Sequence, residues 1–511
     1  MALSSRIKRS IINTFSGLAS QLTTMILNFA MRTVFITALG IQYVGVTSVF
    51  SDLLNMLSFT ELGIGTAIAT ALYKPIYDHN FAEIQKFMRF YRDAYRFIAV
   101  IVCLIGVGLL PFLNEIITNV PNIKESIQII FILYIVTTAV SYLLIYRAPL
   151  FSADQRQSVV NVITMMASII KNIVEIIVLL MTHMFMSYLI IEVIASIGQN
   201  IWLSSRAKKE YPGVFVANVE KLPFARIKKL LRDIKGLAMY QFSGSIGNSI
   251  NSVMVSSLIS TGTAGLLANY TLIQRQVESL VRQFFSAIIP SVGNLVAEGD
   301  DAHQFVVFKR IYFFTFVLIN FCSTCFFALI APFIELWLGK QYVLSWPVAF
   351  VIAIDSFLYM LLQAVAAFRT ANGIFVQGQY RPLLTAVLNI LFTFFFVKHW
   401  GIAGAIGATI FCRLLTQWYD PYLLYKLVFK KNFKMFILKN LLYAFIFSIS
   451  LFLMYVVRNQ FSSENLILKI LIQLIFAITI PNLIVVMFLW KSDEFKYYSS
   501  YLKHHNWSKL H

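Results

Sequence analysis

The stretch Ile98-Ala-Val-Ile-Val-Cys-Leu-Ile-Gly-Val-Gly-Leu-Leu110 holds no charge, and it follows a segment, Lys74 to Arg96, that holds five basic residues. Apolar runs recur along the chain, as at Ile173–Leu180 and at Leu441–Val457. Runs close to ~20 residues are long enough to cross a bilayer as helices. No water in hydrocarbon satisfies backbone groups, so spanning segments are helices or closed barrels. These runs are too long and too continuously apolar for alternating barrel strands. Composition agrees: 59% of the 511 residues are hydrophobic, only 13% are charged, and mean hydropathy is +0.74. That excludes an ordinary soluble protein.

Fourteen spans are predicted, near 10–38, 42–72, 88–112, 123–147, 158–181, 184–205, 237–260, 264–290, 306–332, 345–369, 381–398, 402–424, 436–457 and 465–490. The apolar stretch Ile11 to Leu39 is too long for a signal-peptide core and reads as the first span. With the loops numbered alternately, 32 of the 36 basic residues in loops and tails lie at the N-terminus, in even loops or in the C-terminal tail. The odd loops carry Lys124, Lys340, Lys398 and Arg458. Cytoplasmic loops retain Lys and Arg, so both termini of this multi-pass chain are expected on the cytoplasmic side of the cell membrane. The net charge of +19 therefore suits topology and anionic membrane lipids, and no nucleic-acid partner is expected.

The polar stretch Ser204 to Gly236 divides the spans, and the two sets resemble each other at an offset of 220 residues. Gln21 corresponds to Gln241, Asn28 to Asn248, Gly45 to Gly265 and Phe50 to Tyr270. Six helices is an even number, so both sets share one orientation, related by an axis along the membrane normal. The expected fold is an all-α polytopic membrane protein of about fourteen transmembrane helices. It comprises a six-helix lobe over 1–205, a cytoplasmic loop over 206–236 and a second six-helix lobe over 237–430. Appended helices 13 and 14 follow over 431–490, with a cytoplasmic tail over 491–511.

Six basic residues fall inside spans: Arg32, Lys171, Arg275, Arg282, Arg413 and Lys469. A charge in the bilayer centre costs ~3 kcal/mol or more unless compensated, and such residues mark functional sites by default. Gln21, Thr24, Asn28 and Arg32 occupy one stripe about 80° wide at ~100° per residue. Gln241, Ser245, Asn248 and Ser252 repeat it on the seventh span, Arg275, Glu278 and Arg282 share a face of the eighth, and Asp52 and Asn55 one of the second. Polar glue between helices accounts for the Ser, Thr and single Asn residues. It accounts poorly for two arginines on one face with a single acid, Glu278, between them. These stripes predict a water-accessible cationic cavity lined by Arg32, Arg275, Arg282, Arg413, Gln21, Asn28, Gln241 and Asn248. Asp52, Glu61, Glu278 and Asp355 are the expected coupling or gating acids, and Glu192 is a further counter-ion. Lys171 and Glu175, four apart, are placed for a local ion pair.

No catalytic constellation, metal-ligand spacing or P-loop stands out, so neither an enzyme nor a chain with its own ATPase is expected. Cofactors are not expected, beyond a coupling ion, H+ or Na+. Cys322-Ser-Thr-Cys325 has redox spacing, but inside a span small packing residues are the simpler reading. A membrane polymerase would need a sizeable outer loop, whereas the outer loops near Asn114–Lys124 and Leu338–Ser345 are short.

Three segments resemble the Wzx-type polysaccharide flippases of the superfamily that also holds multidrug extruders of the MATE class and the lipid II flippase. They are Arg32-Thr-Val-Phe-Ile-Thr-Ala-Leu-Gly40 with Tyr43-Val-Gly45, Leu57-Ser-Phe-Thr-Glu61-Leu-Gly63-Ile-Gly65-Thr-Ala67, and Ala153-Asp154-Gln155-Arg156-Gln157. The resemblance, to versions found in Gram-positive capsule clusters, is strongest over residues 10–165. It implies export of an undecaprenyl-pyrophosphate-linked oligosaccharide to the outer leaflet by alternating access, for capsule or other surface polysaccharide. It also implies a polysaccharide polymerase and a chain-length regulator as partners. The cationic stripe agrees, because arginine binds pyrophosphate with charge-assisted, often bidentate hydrogen bonds. Fourteen helices are shared with the lipid II flippase, which keeps that cargo as an alternative. A MATE-like extruder of organic cations is the other, though an acidic, aromatic cavity would be expected for it.

Overall fold

The computed structural model describes residues 2–57, 64–117, 123–216, 219–297, 299–374, 377–460 and 465–504. Among them every regular element is helical. In chain order the α-helices are α1 (Ala2–Leu39), α2 (Ile41–Leu57), α3 (Ile64–Tyr77), α4 (Phe81–Leu109), α5 (Leu113–Ile116), α6 (Ile127–Ile145), α7 (Pro149–Ala153), α8 (Gln157–Thr182), α9 (Phe185–Glu210) and α10 (Phe224–Leu258). They continue with α11 (Thr261–Ala297), α12 (Asp301–Trp337), α13 (Trp346–Leu361), α14 (Gln363–Ala371), α15 (Tyr380–Thr416), α16 (Tyr419–Leu427), α17 (Lys434–Gln460), α18 (Leu466–Leu489) and α19 (Asp493–His504).

Each expected span coincides with one helix or with consecutive ones. Ten segments among the described residues are long and apolar enough to cross a membrane by length and composition. One of them, Tyr380–Leu427, covers two expected spans, because α15 runs through a kink at Gly401, where φ is 58° and ψ −136°. That left-handed region favours glycine. The other expected spans fall on α2–α3, α10 and α11. Of these, α2 and α3, with 17 and 14 residues, are each too short to cross a membrane alone.

Local signals set the helix ends. Asn80 caps α4 by accepting from Glu83 N at 3.1 Å. Asp300 caps α12 by accepting from Ala302 N and His303 N, both at 2.9 Å. Such caps satisfy amides that a helix start leaves open. Pro481 inside α18 leaves the carbonyl of Ala477 without its helical donor, and Cys325 Sγ donates to that oxygen at 3.5 Å. Cys325 thus serves helix packing, and all four cysteines are free.

The chain forms two compact units, Met1–Ala268 and Asn269–His511. In the first, α1 packs along α8, α8 on α9, α9 on α6, and α6 on α4, while α10 packs on α2. Gly45 and Gly265, matched in the repeat, meet here: a Cβ at Gly265 would lie 2.9 Å from Gly45 N. In the second unit α12 packs on α13 and α18, α13 on α15, and α17 on α18. The third span packs on the fourth and the fourth on the sixth (α4–α6–α9) in the first unit. Large apolar side chains such as Phe97, Leu104, Ile177 and Met487 point outward, as lipid-facing helices require.

Candidate functional site

In the second unit, α11, α13 and α15 bring two arginines and two acids together. Arg413 Nε donates to Asp355 Oδ1 at 2.7 Å, and its guanidinium lies 4.8 Å from the centre of the Tyr359 ring. The Tyr359 hydroxyl accepts from Arg282 Nη1 at 3.4 Å. Arg282 in turn stands 3.6 Å from Glu278 Oε2, with 42% of its side chain exposed. Glu278 is buried and also accepts from Gln274 Nε2 at 2.9 Å and the Ser356 hydroxyl at 3.4 Å. The helical repeat explains the grouping: Glu278 and Arg282 are one turn apart on α11, as are Asp355 and Tyr359 on α13. Tyr359 touches both arginines, one through its ring and one through its hydroxyl.

The first unit holds a second cluster inside the spans. Lys171 Nζ on α8 lies 2.8 Å from Glu192 Oε2 on α9 and 3.7 Å from Glu175 Oε1 on its own helix. The Tyr188 hydroxyl reaches the same Glu192 oxygen at 3.5 Å. Arg32 on α1 lies near the phenols of Tyr188 and Tyr134. A cavity of about 190 Å³ opens beside them, lined by Ser51 and Asn55 of α2, Tyr134, Thr137 and Thr138 of α6, and Glu192 of α9.

The predicted residues divide accordingly. Arg282, Arg413, Glu278 and Asp355 come together in the second unit, while Arg275 is exposed on α11. Arg32 lies in the first unit, with Gln21 and Asn28 half-buried on the same helix. Asp52 is buried on α2, where the Ser249 hydroxyl of α10 donates to its Oδ1 at 3.3 Å. Glu61 and the side chains of Gln241 and Asn248 lie outside the described residues. Tyr359, Ser356 and Gln274 escaped the sequence reading, as did Tyr134 and Tyr188 beside Glu192. The readable signal for Tyr359 and Tyr188 was their spacing of four residues from Asp355 and Glu192. The local Lys171–Glu175 pair is present, but Glu192 on the next helix is the nearer partner.

Loop charges gather at one end of each unit's helices. In the first, Lys86 pairs with Glu220 at 2.6 Å, Arg226 with Glu83, and Arg206 with Glu210 at 2.5 Å. In the second, Arg369 and Arg381 flank Asp420 at 3.0 and 2.9 Å, and Lys439 meets Glu494 at 2.5 Å. Alternate loops thus share an end, which is the arrangement that a one-sided charge bias requires.

No family model matches the chain, and no curated protein matches it. Solved structures do. The lipid II flippase MurJ in an inward closed conformation has a TM-score of 0.64 at 14% identity, over 94% of this chain and 98% of that one. The Vibrio cholerae MATE transporter VcmN has 0.58 at 13% identity, over 84% and 98%. An inward-facing multidrug resistance MATE family transporter of the MOP superfamily has 0.57 at 12% identity, over 79% and 95%. At these identities the likeness is one of fold. This chain is a polytopic membrane protein with the helical fold of the MOP superfamily transporters.

Proposed function

We propose that this chain is a flippase, carrying a polyprenyl-pyrophosphate-linked oligosaccharide from the inner to the outer leaflet of the cytoplasmic membrane by alternating access. Both termini would be cytoplasmic. The observation that carries the reading is the pair Arg282 and Arg413, one at the hydroxyl of Tyr359 and the other over its ring. Planar guanidinium forks bind the oxygens of a pyrophosphate, whereas an organic cation finds both acids here already matched by arginines. Arg32, on α1 of the first unit, is a further arginine inside an expected span.

Glu278 and Asp355 give the cycle a counter-charge. Without cargo each holds one arginine. An arriving pyrophosphate takes those arginines over, and two carboxylates in a low-dielectric setting are then left without their cations. Proton or sodium uptake at that pair would offset the loss. The polysaccharide and capsule assignment rests on the Wzx-like segments at Arg32–Gly40 and Ala153–Gln157, and a polymerase and chain-length regulator would be the partners that follow from it. Lipid II is the second reading, favoured by the extent of the fold likeness to its flippase. Reconstitution with fluorescent lipid-linked glycans, lipid II among them, under imposed pH and sodium gradients tests the proposal. Flipping of a glycan pyrophosphate lipid supports it, and extrusion of organic cations without lipid movement contradicts it.

A further inference from the structure

We infer that the cavity between α2, α6 and α9 is a glycan subsite that takes one neutral pyranose ring of the transported lipid. This inference deepens the flippase reading and rests on it. At about 190 Å³ the cavity has room for ~6 waters, a volume that suits a single sugar ring better than a disaccharide. Its lining sets the aliphatic side chains of Leu54, Leu133, Leu189 and Val193 beside acceptors for hydroxyl donors. The hydroxyls of Thr137 and Thr138 donate to the carbonyls of Leu133 and Tyr134 at 2.8 and 3.0 Å. A hydroxyl whose proton is spent in this way offers lone pairs only. Glu192 adds a carboxylate on the same wall. Tyr134 supplies an aromatic body with a polar tip.

The electrostatics select among ligands that could use such a wall. The Glu192 carboxylate is already matched by Lys171 at 2.8 Å. Glu175 stands 3.7 Å from the same ammonium, and the phenols of Tyr134 and Tyr188 have Arg32 as well as these two acids around them, so the neighbourhood holds two cations and two carboxylates. An organic cation finds no surplus negative charge there, and an acidic sugar would bring its carboxylate against acceptors. A neutral ring with several hydroxyls satisfies the wall without an uncompensated charge.

The test uses the full chain in lipid nanodiscs with two probes, a bare polyprenyl pyrophosphate and the same lipid bearing one neutral hexose. The hexose should tighten binding roughly tenfold, about 1.4 kcal/mol. Thr138→Leu, which fills the cavity, should remove that gain and leave the bare lipid's affinity unchanged. Thr138→Val keeps shape and fold but lacks the hydroxyl, and it should lose part of the gain. Equal binding of both lipids by the unmodified protein overturns the subsite alone. So does an equal loss for both lipids in Thr138→Leu at unchanged melting temperature, or displacement of the hexose lipid by tetraphenylphosphonium. Failure to bind either lipid overturns the flippase reading and the subsite with it.

Discussion

Arg413 Nε and Asp355 Oδ1 stand 2.7 Å apart, on helices α15 and α13, inside segments long and apolar enough to cross a membrane. Removing one partner of a buried pair leaves an uncompensated charge, worth about 3–5 kcal/mol. Replacing both with apolar residues of similar volume removes that penalty. Arg413→Met should therefore lower the melting temperature, and the double variant Arg413→Met/Asp355→Leu should restore it without restoring transport. Thermal unfolding beside a flipping assay checks this; recovery of transport in the double variant would limit Arg413 to a structural role.

Lys171 bridges Glu175 and Glu192 in the first unit. Lys171→Met strands both carboxylates and should reduce folded yield in detergent. Adding Glu192→Gln, which removes the nearer charge, should recover most of it, and this recovery exceeds what Glu175→Gln gives, because that carboxylate is the more distant. Size-exclusion profiles of the three variants supply the comparison.

Gly45 and Gly265 fix how closely α2 meets the start of α11. A Cβ on Gly265 would stand 2.5 Å from the carbonyl oxygen of Ile41, and one on Gly45 would run into the carbonyl of Thr261. No flexible side-chain end can give way there. Gly45→Val should destabilise the fold by about 1–3 kcal/mol, the usual range for overpacking. By contrast Gly108→Ala, with open space around it, should leave stability unchanged.

Much of this architecture was legible because hydrocarbon imposes simple rules. Apolar runs of bilayer length marked the helices, and even the kink at Gly401 fell between two expected spans. Charged residues inside those runs stood out for the same reason, which is how Arg282, Glu278, Arg413 and Asp355 were found. Their pairing was not legible. Spacing along one helix relates Glu278 to Arg282, but nothing in it says that Asp355 faces Arg413, because that depends on how α13 crosses α15. Tyr359 and the Tyr134–Thr137–Thr138 wall were hidden for a further reason: aromatic and hydroxyl residues are common in spans and raise no cost that singles them out.

Orientation can be checked without transport. Lys208 lies in the last turn of α9, beside the loop carrying the densest basic run. Lys208→Cys, treated from outside intact cells with a membrane-impermeant maleimide, should stay unlabelled and become labelled after permeabilisation. Efficient labelling from outside would invert the topology and move the proposed uptake face with it.

The most direct measurement is the flipping rate of a fluorescent polyprenyl-pyrophosphate glycan in proteoliposomes carrying Arg32→Ala, Arg282→Ala or their Lys counterparts. Each Ala variant should insert and melt like the unmodified protein yet flip at least tenfold more slowly, a loss of about 1.4 kcal/mol or more. Lys should recover only part of the rate, since it offers a point charge in place of a planar fork. Ala variants that flip at the unmodified rate, or an Arg282→Ala variant that fails by unfolding and is rescued by removing Glu278, would contradict an arginine-held pyrophosphate.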